Sequence, residues 1–366
     1  MKFVVSRAEL SNLIRKIQNI VPQNAPIPVL SHFLIEAKGS ELVFTATDLV
    51  VGTRCSAEAK IYEPGALSIP SKRFFQLVRE LTDAQIEMSG VEGEMAEIKS
   101  GTSRFRLHGI DKNEYPTLPN LQDAVKFTIL GSQLKEMFYR TAFAVSREDN
   151  RYVLTGVLMR IEDGFAIFVG TDGKRLAKVQ TAISLDSEIS GEYILPLKAV
   201  EEMIKMIEDE DECTVYITDD KVAVESANTL LVTKLLSGEY PDFEQVIACR
   251  SEQKMQLHRE ELIVLLRQIA LFTTNTSQSV RFTFSTGELT LTANCTDVGE
   301  GKVSMPVNYK GEKLEIAFNP FFFLDILKHS RDETVLLGVS DPFNPGVITD
   351  STESLFIIMP MRLNED

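Results

Sequence analysis

Three short segments of alternating polarity each run directly into a helical pattern: Met1-Lys-Phe-Val-Val-Ser-Arg-Ala-Glu-Leu10, Val125-Lys-Phe-Thr-Ile-Leu-Gly-Ser-Gln-Leu134 and Gln253-Lys-Met-Gln-Leu-His-Arg-Glu-Glu-Leu262. The stretches that follow place Leu10, Leu13, Ile14 and Ile17, then Leu134, Met137, Phe138 and Thr141, then Leu262, Leu265, Leu266 and Ile269 at i, i+3, i+4 and i+7. That spacing gathers them on one face of a helix, whereas strict alternation marks a half-buried strand. Ser6 followed by Glu9 adds a capping box at the first helix start.

Further sets recur in step. Leu42–Thr47, Ala166–Thr171 and Leu289–Asn294 read as strands. Gly65–Pro70, Gly191–Pro196 and Leu314–Asn319 read as strands entering a second helix. Its buried faces carry Phe74, Leu77, Val78 and Leu81; Val200, Met203, Ile204 and Ile207; and Phe323, Ile326 and Leu327. Glu114-Tyr-Pro116 and Glu239-Tyr-Pro241 precede the second and third units. One such match would carry little weight, but several in one order, near one third of the 366 residues, establish a threefold repeat. The expected organisation is α+β: three modules at 1–121, 125–249 and 250–366, each with antiparallel sheet and two helices. Ser103–His108 and Arg281–Ser285 alternate as sheet with one wet face.

The six helices, taken as 6–21, 71–81, 131–143, 197–207, 259–271 and 320–331, hold 14 Lys and Arg against 8 Asp and Glu. The remainder holds 24 against 45, within a total net charge of −15. The total alone argues against a nucleic-acid binder, because an acidic surface repels phosphate. The distribution reverses that reading, since helix propensity favours Glu as much as Lys and does not explain the sign. Arg15, Lys16, Lys72, Arg73, Arg79, Arg140, Lys198, Lys205, Arg267 and Lys328 are the candidates for sequence-independent phosphate contact.

Chemistry-bearing motifs are missing. Gly170-Thr-Asp-Gly173-Lys174-Arg175 has two residues between its glycines and an Arg after the Lys, so it fails as a phosphate loop. His32, His108, His258 and His329 lack metal-ligand spacing, and Cys55, Cys213, Cys249 and Cys295 lie far apart with no nucleophile motif. Glu208–Glu212 lacks the glycine turn of a calcium loop and reads as a solvated loop. These features predict no enzyme activity, no metal and no cofactor. The scattered cysteines, the absence of a leader-like N-terminus and the absence of a long apolar run predict a cytoplasmic protein with no membrane partner.

The repeat, Gly170-Thr-Asp-Gly-Lys-Arg-Leu-Ala177, Gly238-Glu-Tyr-Pro-Asp-Phe243 and the closing Met359-Pro-Met-Arg-Leu363 together resemble the beta subunit of bacterial DNA polymerase III, the sliding clamp family, over essentially the whole chain. The resemblance implies a head-to-tail homodimer whose six domains close a ring, helices lining the hole and sheets outside. It implies that duplex DNA is encircled without sequence preference. It also implies opening by an ATP-driven clamp loader, and tethering of the polymerase III catalytic subunit and other replication and repair proteins through short peptides. An apolar cleft for those peptides is implied at Leu154, Thr171, Gly173, Lys174, Arg175, Leu176, Pro241, Val246, Met359, Pro360, Met361, Arg362 and Leu363. Arg104, Phe105, Leu271 and Phe272 match dimer-interface positions, and Lys72 and Tyr152 match DNA-facing ones. Departures stand at Lys174, often His in the family, at Asn24, Glu148 and Val153, at Thr102, and in the extra Asn364–Asp366. The loop after Asn294 offers only Asp297 and Glu300, which predicts an interface dominated by apolar contact. A protein-binding repeat scaffold and a nucleic-acid enzyme with an unrecognised site are the rival readings; the basic helices oppose the first and the missing motifs the second.

Overall fold

The computed structural model describes residues 1–362 except Asp149, 186–188, 249–252 and 275–277. Leu363, Asn364–Asp366, Cys249 and the expected junction at 249/250 lie outside the described residues. Seven α-helices occur among the described residues: α1 (Arg7–Ile17), α2 (Ser71–Glu80), α3 (Gly131–Ala142), α4 (Leu197–Met206), the short α5 (Glu244–Ile247), α6 (Arg259–Ala270) and α7 (Pro320–His329). Five of the six longer ones begin directly after a strand, and α7 begins one residue later, past Asn319. Their starts are set locally. Ser6 accepts the Glu9 amide at 3.1 Å, His258 Nδ1 accepts that of Glu261 at 3.3 Å, and Asn319 accepts that of Phe321 at 2.9 Å with Pro320 in the first turn. α1 is shorter than the sequence pattern predicts: the Ile20 amide bonds Ile17 O at 3.1 Å, tightening the chain into a turn ahead of Pro22.

The apolar faces pack as their periodicity requires. Leu10, Leu13, Ile14 and Ile17 are buried, as are Leu134, Met137, Phe138 and Thr141, and Leu262, Leu266 and Ile269, with Leu265 partly covered. Leu77 and Ile204 are also only partly covered.

Two compact units divide the chain, and they do not follow the three repeats. One comprises 1–135, 183–189 and 198–235; the other comprises 136–182, 190–197 and 236–366. The physical cause is strand pairing across repeat junctions. In the first unit Thr229–Lys234 pairs antiparallel with Val51–Glu58, register Thr229 to Cys55, inside a nine-stranded sheet. In the second, Arg175–Ala182 pairs antiparallel with Ser354–Ile358, register Arg175 to Ile358, inside an eight-stranded sheet. Sheet continuity therefore shares the middle repeat between both units.

The first unit also holds a five-stranded sheet, ordered Lys60–Glu63, Lys2–Ser6, Gln85–Val91, Met95–Ser100 and Ser103–His108. Its core includes Phe33, Phe44 and Phe74 in ring contact at 6.3–6.4 Å. The second unit adds a four-stranded sheet, ordered Gly299–Pro306, Glu288–Cys295, Val280–Ser285 and Leu314–Phe318. Phe282, Phe318 and Phe323 meet beneath it with centroids 5.1–5.6 Å apart. Ser103–His108 departs from its expected single wet face: every residue but Leu107 is exposed. It is an edge strand with a neighbour on one side only.

Candidate functional site

In the second unit a cavity of about 170 Å³ opens beside the turn 171–175. Its apolar lining includes Leu154, Leu176, Phe243 and Ile357, which belong to a buried cluster with Leu158, Val169, Ile194 and Tyr240. The turn is shaped by its own side chains. Thr171 Oγ1 donates to Arg175 O at 2.6 Å and accepts the Gly173 amide at 3.1 Å. Asp172 Oδ1 accepts the amides of Lys174 and Arg175 at 2.9 and 3.0 Å. Gly173 sits at φ +81°, the left-handed region that glycine enters without strain, and a Cβ there would stand 3.1 Å from the Arg151 guanidinium. Gly170, just before the turn, has no room for a Cβ: Thr141 O would lie 2.1 Å away, so this strand packs directly on the end of α3. The Met359 amide donates to Lys174 O at 2.9 Å, which brings the last strand to the rim.

The opposite wall comes from 241–247. Just ahead of α5, Asp242 Oδ1 accepts the Glu244 amide at 3.1 Å, and Phe243 between them is buried. Arg160 lies 4.7 Å over the Phe243 ring while holding Glu192 at 2.7 Å and Glu244 at 3.3 Å, so the ring is fixed from outside. Burial pushes the Tyr240 hydroxyl above its ordinary pKa, and it donates to Val169 O at 3.3 Å as a neutral group.

Of the residues expected at the cleft, Leu154, Thr171, Gly173, Arg175, Leu176, Pro241, Val246 and Met359 line this cavity. Lys174 points to the exposed side of the turn, and Pro360, Met361 and Arg362 continue past the rim. The Met361 amide bonds Ala317 O at 2.7 Å, which draws that segment onto the four-stranded sheet. Arg151, Asp242, Phe243 and Ile357 also line the cavity; Asp242 and Phe243 belong to the Gly238–Phe243 motif, but none of the four is among the expected cleft positions. The apolar run 355–358 and the Pro-Asp-Phe segment are the signals the sequence offers.

The cations on the helices divide by exposure. Arg15, Lys72, Arg73, Arg79, Lys198, Lys205, Arg267 and Lys328 are exposed, and Lys16 is half-buried. Lys198 is held by Asp48 at 2.5 Å, Lys205 by Glu202 at 2.6 Å and Lys328 by Asp325 at 3.5 Å. Lys16 donates to Asn228 and Thr229 at 2.9 and 3.1 Å, and Arg15 to Asn12 at 2.8 Å. Tyr152 is 61% exposed. Arg140 corrects the sequence reading: it is buried, with its guanidinium on Asp350, on Thr352 Oγ1 at 2.6 Å and 5.3 Å from the Phe356 ring centre. It borders the apolar stripe of α3, so its long side chain turns inward to a buried carboxylate and leaves no free cation.

Each unit leaves a sheet edge open. Arg104 and Phe105 lie exposed on edge strand Ser103–His108 in the first. In the second, Gly299–Pro306 is the edge, and a Cβ on Gly301 would stand 2.7 Å from the Phe272 ring, so the end of α6 lies against that strand. Leu271 beside it is 73% exposed. Desolvation raises the Cys55 thiol to about 12, so it is not a nucleophile at neutral pH. Among the described residues no group of three His, Cys, Asp or Glu could hold a metal ion, and no helix is long and apolar enough to cross a membrane.

Comparison with known proteins agrees over the full length. Residues 1–119, 128–242 and 244–362 match the N-terminal, central and C-terminal domains of the DNA polymerase III beta subunit. The beta sliding clamp of Chlamydia pneumoniae is 66% identical over 366 residues, all of both chains. The crystal structure of the DNA polymerase III subunit beta from Pseudomonas aeruginosa superposes with a TM-score of 0.95 at 27% identity, covering 99% of this chain and 100% of that one. A Pseudomonas aeruginosa sliding clamp bound to griselimycin superposes with a TM-score of 0.95 at 28% identity and the same coverage. Fold and matches define the class as a DNA sliding clamp, a processivity factor without a catalytic step of its own. The chain belongs to the DNA polymerase III beta subunit family, and it works with DNA and a DNA polymerase.

Proposed function

We propose that two copies of this chain close head to tail into a ring around duplex DNA, each contributing three modules at 1–121, 125–249 and 250–366. A heterologous contact closes a ring when its rotation does. The edge strand Ser103–His108, with Arg104 and Phe105, would meet Gly299–Pro306 of a second copy beside Leu271 and Phe272. The observation that carries this reading is the charge split: exposed cations on helices of a chain with net charge −15. Arg15, Lys16, Lys72, Arg73, Arg79, Tyr152, Lys198, Lys205, Arg267 and Lys328 would face the duplex, with contacts weak and sequence-blind enough to permit sliding. The cleft beside 171–175 would take short peptides from the polymerase III catalytic subunit, an ATP-driven loader and other replication and repair proteins in the cytoplasm. Its aliphatic and thioether lining adapts to several partners.

The topology is tested by loading the protein on circular duplex with its loader and ATP, then linearising the circle. Retention on circles and loss on cutting is expected; equal retention on both overturns encirclement. The cleft is tested with griselimycin, which a related clamp binds. Met359→Asp puts a charge at the exposed rim of the apolar cavity and is expected to weaken binding by more than about tenfold. Unchanged affinity would move the ligand site elsewhere.

A further inference from the structure

Arg175 lines the cleft, and its guanidinium already has carboxylate and ring partners within the protein. The side chain is 11% exposed. Nη1 donates to Asp325 Oδ2 at 2.7 Å and Nε to Asp172 Oδ2 at 3.2 Å. The Phe322 and Phe143 rings stand 4.6 and 5.5 Å from Cζ. Carboxylates at its edge and rings near its planes fix the orientation of the fork. Its contribution to the cleft is therefore to be held still.

Asp172 belongs to the turn itself and cannot fix that turn against anything else. Asp325 can. It sits on α7, whose Phe323, Ile326 and Leu327 are fully buried, so the helix is a rigid platform. His329, one turn later, places Nδ1 2.7 Å from Asp325 O and stacks on Phe143 with centroids 4.1 Å apart and planes 14° from parallel. The residue that pairs with Arg175 thus also anchors the histidine that braces one of the rings beside it. An exposed ion pair would contribute little, and Asp325 is 36% exposed. Arg175 is not exposed, and a mostly buried cation loses far more when one of its two carboxylates is removed.

We infer that Asp325 is a positioning residue of the cleft: through Arg175 it holds the turn 171–175 in the shape that receives a ligand. This rests on the cleft reading above. Lys328, 3.5 Å from the other carboxylate oxygen, is a second claimant on the same charge, so neutralising Asp325 releases a cation on α7 as it loosens Arg175.

The test is calorimetric titration of the full-length protein with griselimycin, using Asp325→Asn, Asp325→Glu, Arg175→Met and the Asp325→Asn/Arg175→Met pair. Asp325→Asn is expected to weaken binding about tenfold and Asp325→Glu to recover most of that loss. In the Arg175→Met background, Asp325→Asn should add no more than about twofold, because the positioned group is gone. Once loaded, the Asp325→Asn protein should leave circular DNA no faster than wild type, whereas general damage to α7 would speed its loss. A wild-type protein that takes up no griselimycin overturns the cleft reading and this inference together. Wild-type binding with an equal Asp325→Asn affinity, or a penalty undiminished without Arg175, overturns the positioning role alone.

Discussion

Two arginine–carboxylate sites show how differently one chemistry behaves in two settings. On the edge of the five-stranded sheet Arg104 and Arg106 reach back to Glu97 at 2.5 and 3.1 Å, with Lys99 at 3.5 Å. Glu97 is 4% exposed, but its arginines are 57% and 56% exposed, so water stays close to every pair. In the second unit Arg140 and Asp350 are 3% and 0% exposed, and Asp350 also accepts the Arg331 and Thr352 amides at 2.9 and 3.1 Å. The first is a cluster of cations on a sheet edge, where water can take the place of either partner. The second is a lock between α3 and the 350–354 loop, which no phosphate can compete for. A positive residue on a helix is thus not a DNA contact until its side chain is known to face water.

Arg140→Met separates the two settings most strongly. Leaving Asp350 buried and unpaired should lower unfolding stability by about 3–5 kcal/mol, read as a large fall in the denaturant midpoint. A loss comparable to that of an exposed pair would erase the distinction. Thr352→Ala should cost less, about 2 kcal/mol, since Thr352 Oγ1 accepts one of Arg140's bonds and donates to the buried Asp350 carboxylate at 2.5 Å. Arg104→Ala should leave the unfolding midpoint nearly unchanged, as exposed pairs do, while weakening self-association in sedimentation. A large stability loss there would place Arg104 with Arg140. The smallest effect is acid dependence at Glu97, whose carboxyl is held down to about 2 chiefly by the Arg104 hydrogen bond. A folded pKa below the ordinary 4.5 stabilises the fold above that value, and the contribution fades as pH falls toward 2. Glu97→Gln should flatten stability across that window, and carboxyl NMR should find the Glu97 midpoint near its lower end.

Much of the cleft was legible because its turn is local. The Thr-Asp-Gly-Lys-Arg sequence makes its own hydrogen bonds over five residues. Arg151, Asp242 and Ile357 were not, since nothing at those positions announces that three distant segments converge on one cavity. Asp325 was further from view, lying 150 residues from the guanidinium it holds.

The threefold strand-to-helix repetition, the buried faces of the helices and the uneven placement of charge are readable in the sequence alone. Each depends on periodicity or on contacts a few residues apart. Only the tertiary structure decided that the middle repeat is divided between two units, that Arg140 turns inward, and that Arg175 is gripped from α7. Those outcomes depend on which strand edge finds a partner and which carboxylate is already buried nearby, and a linear pattern carries neither.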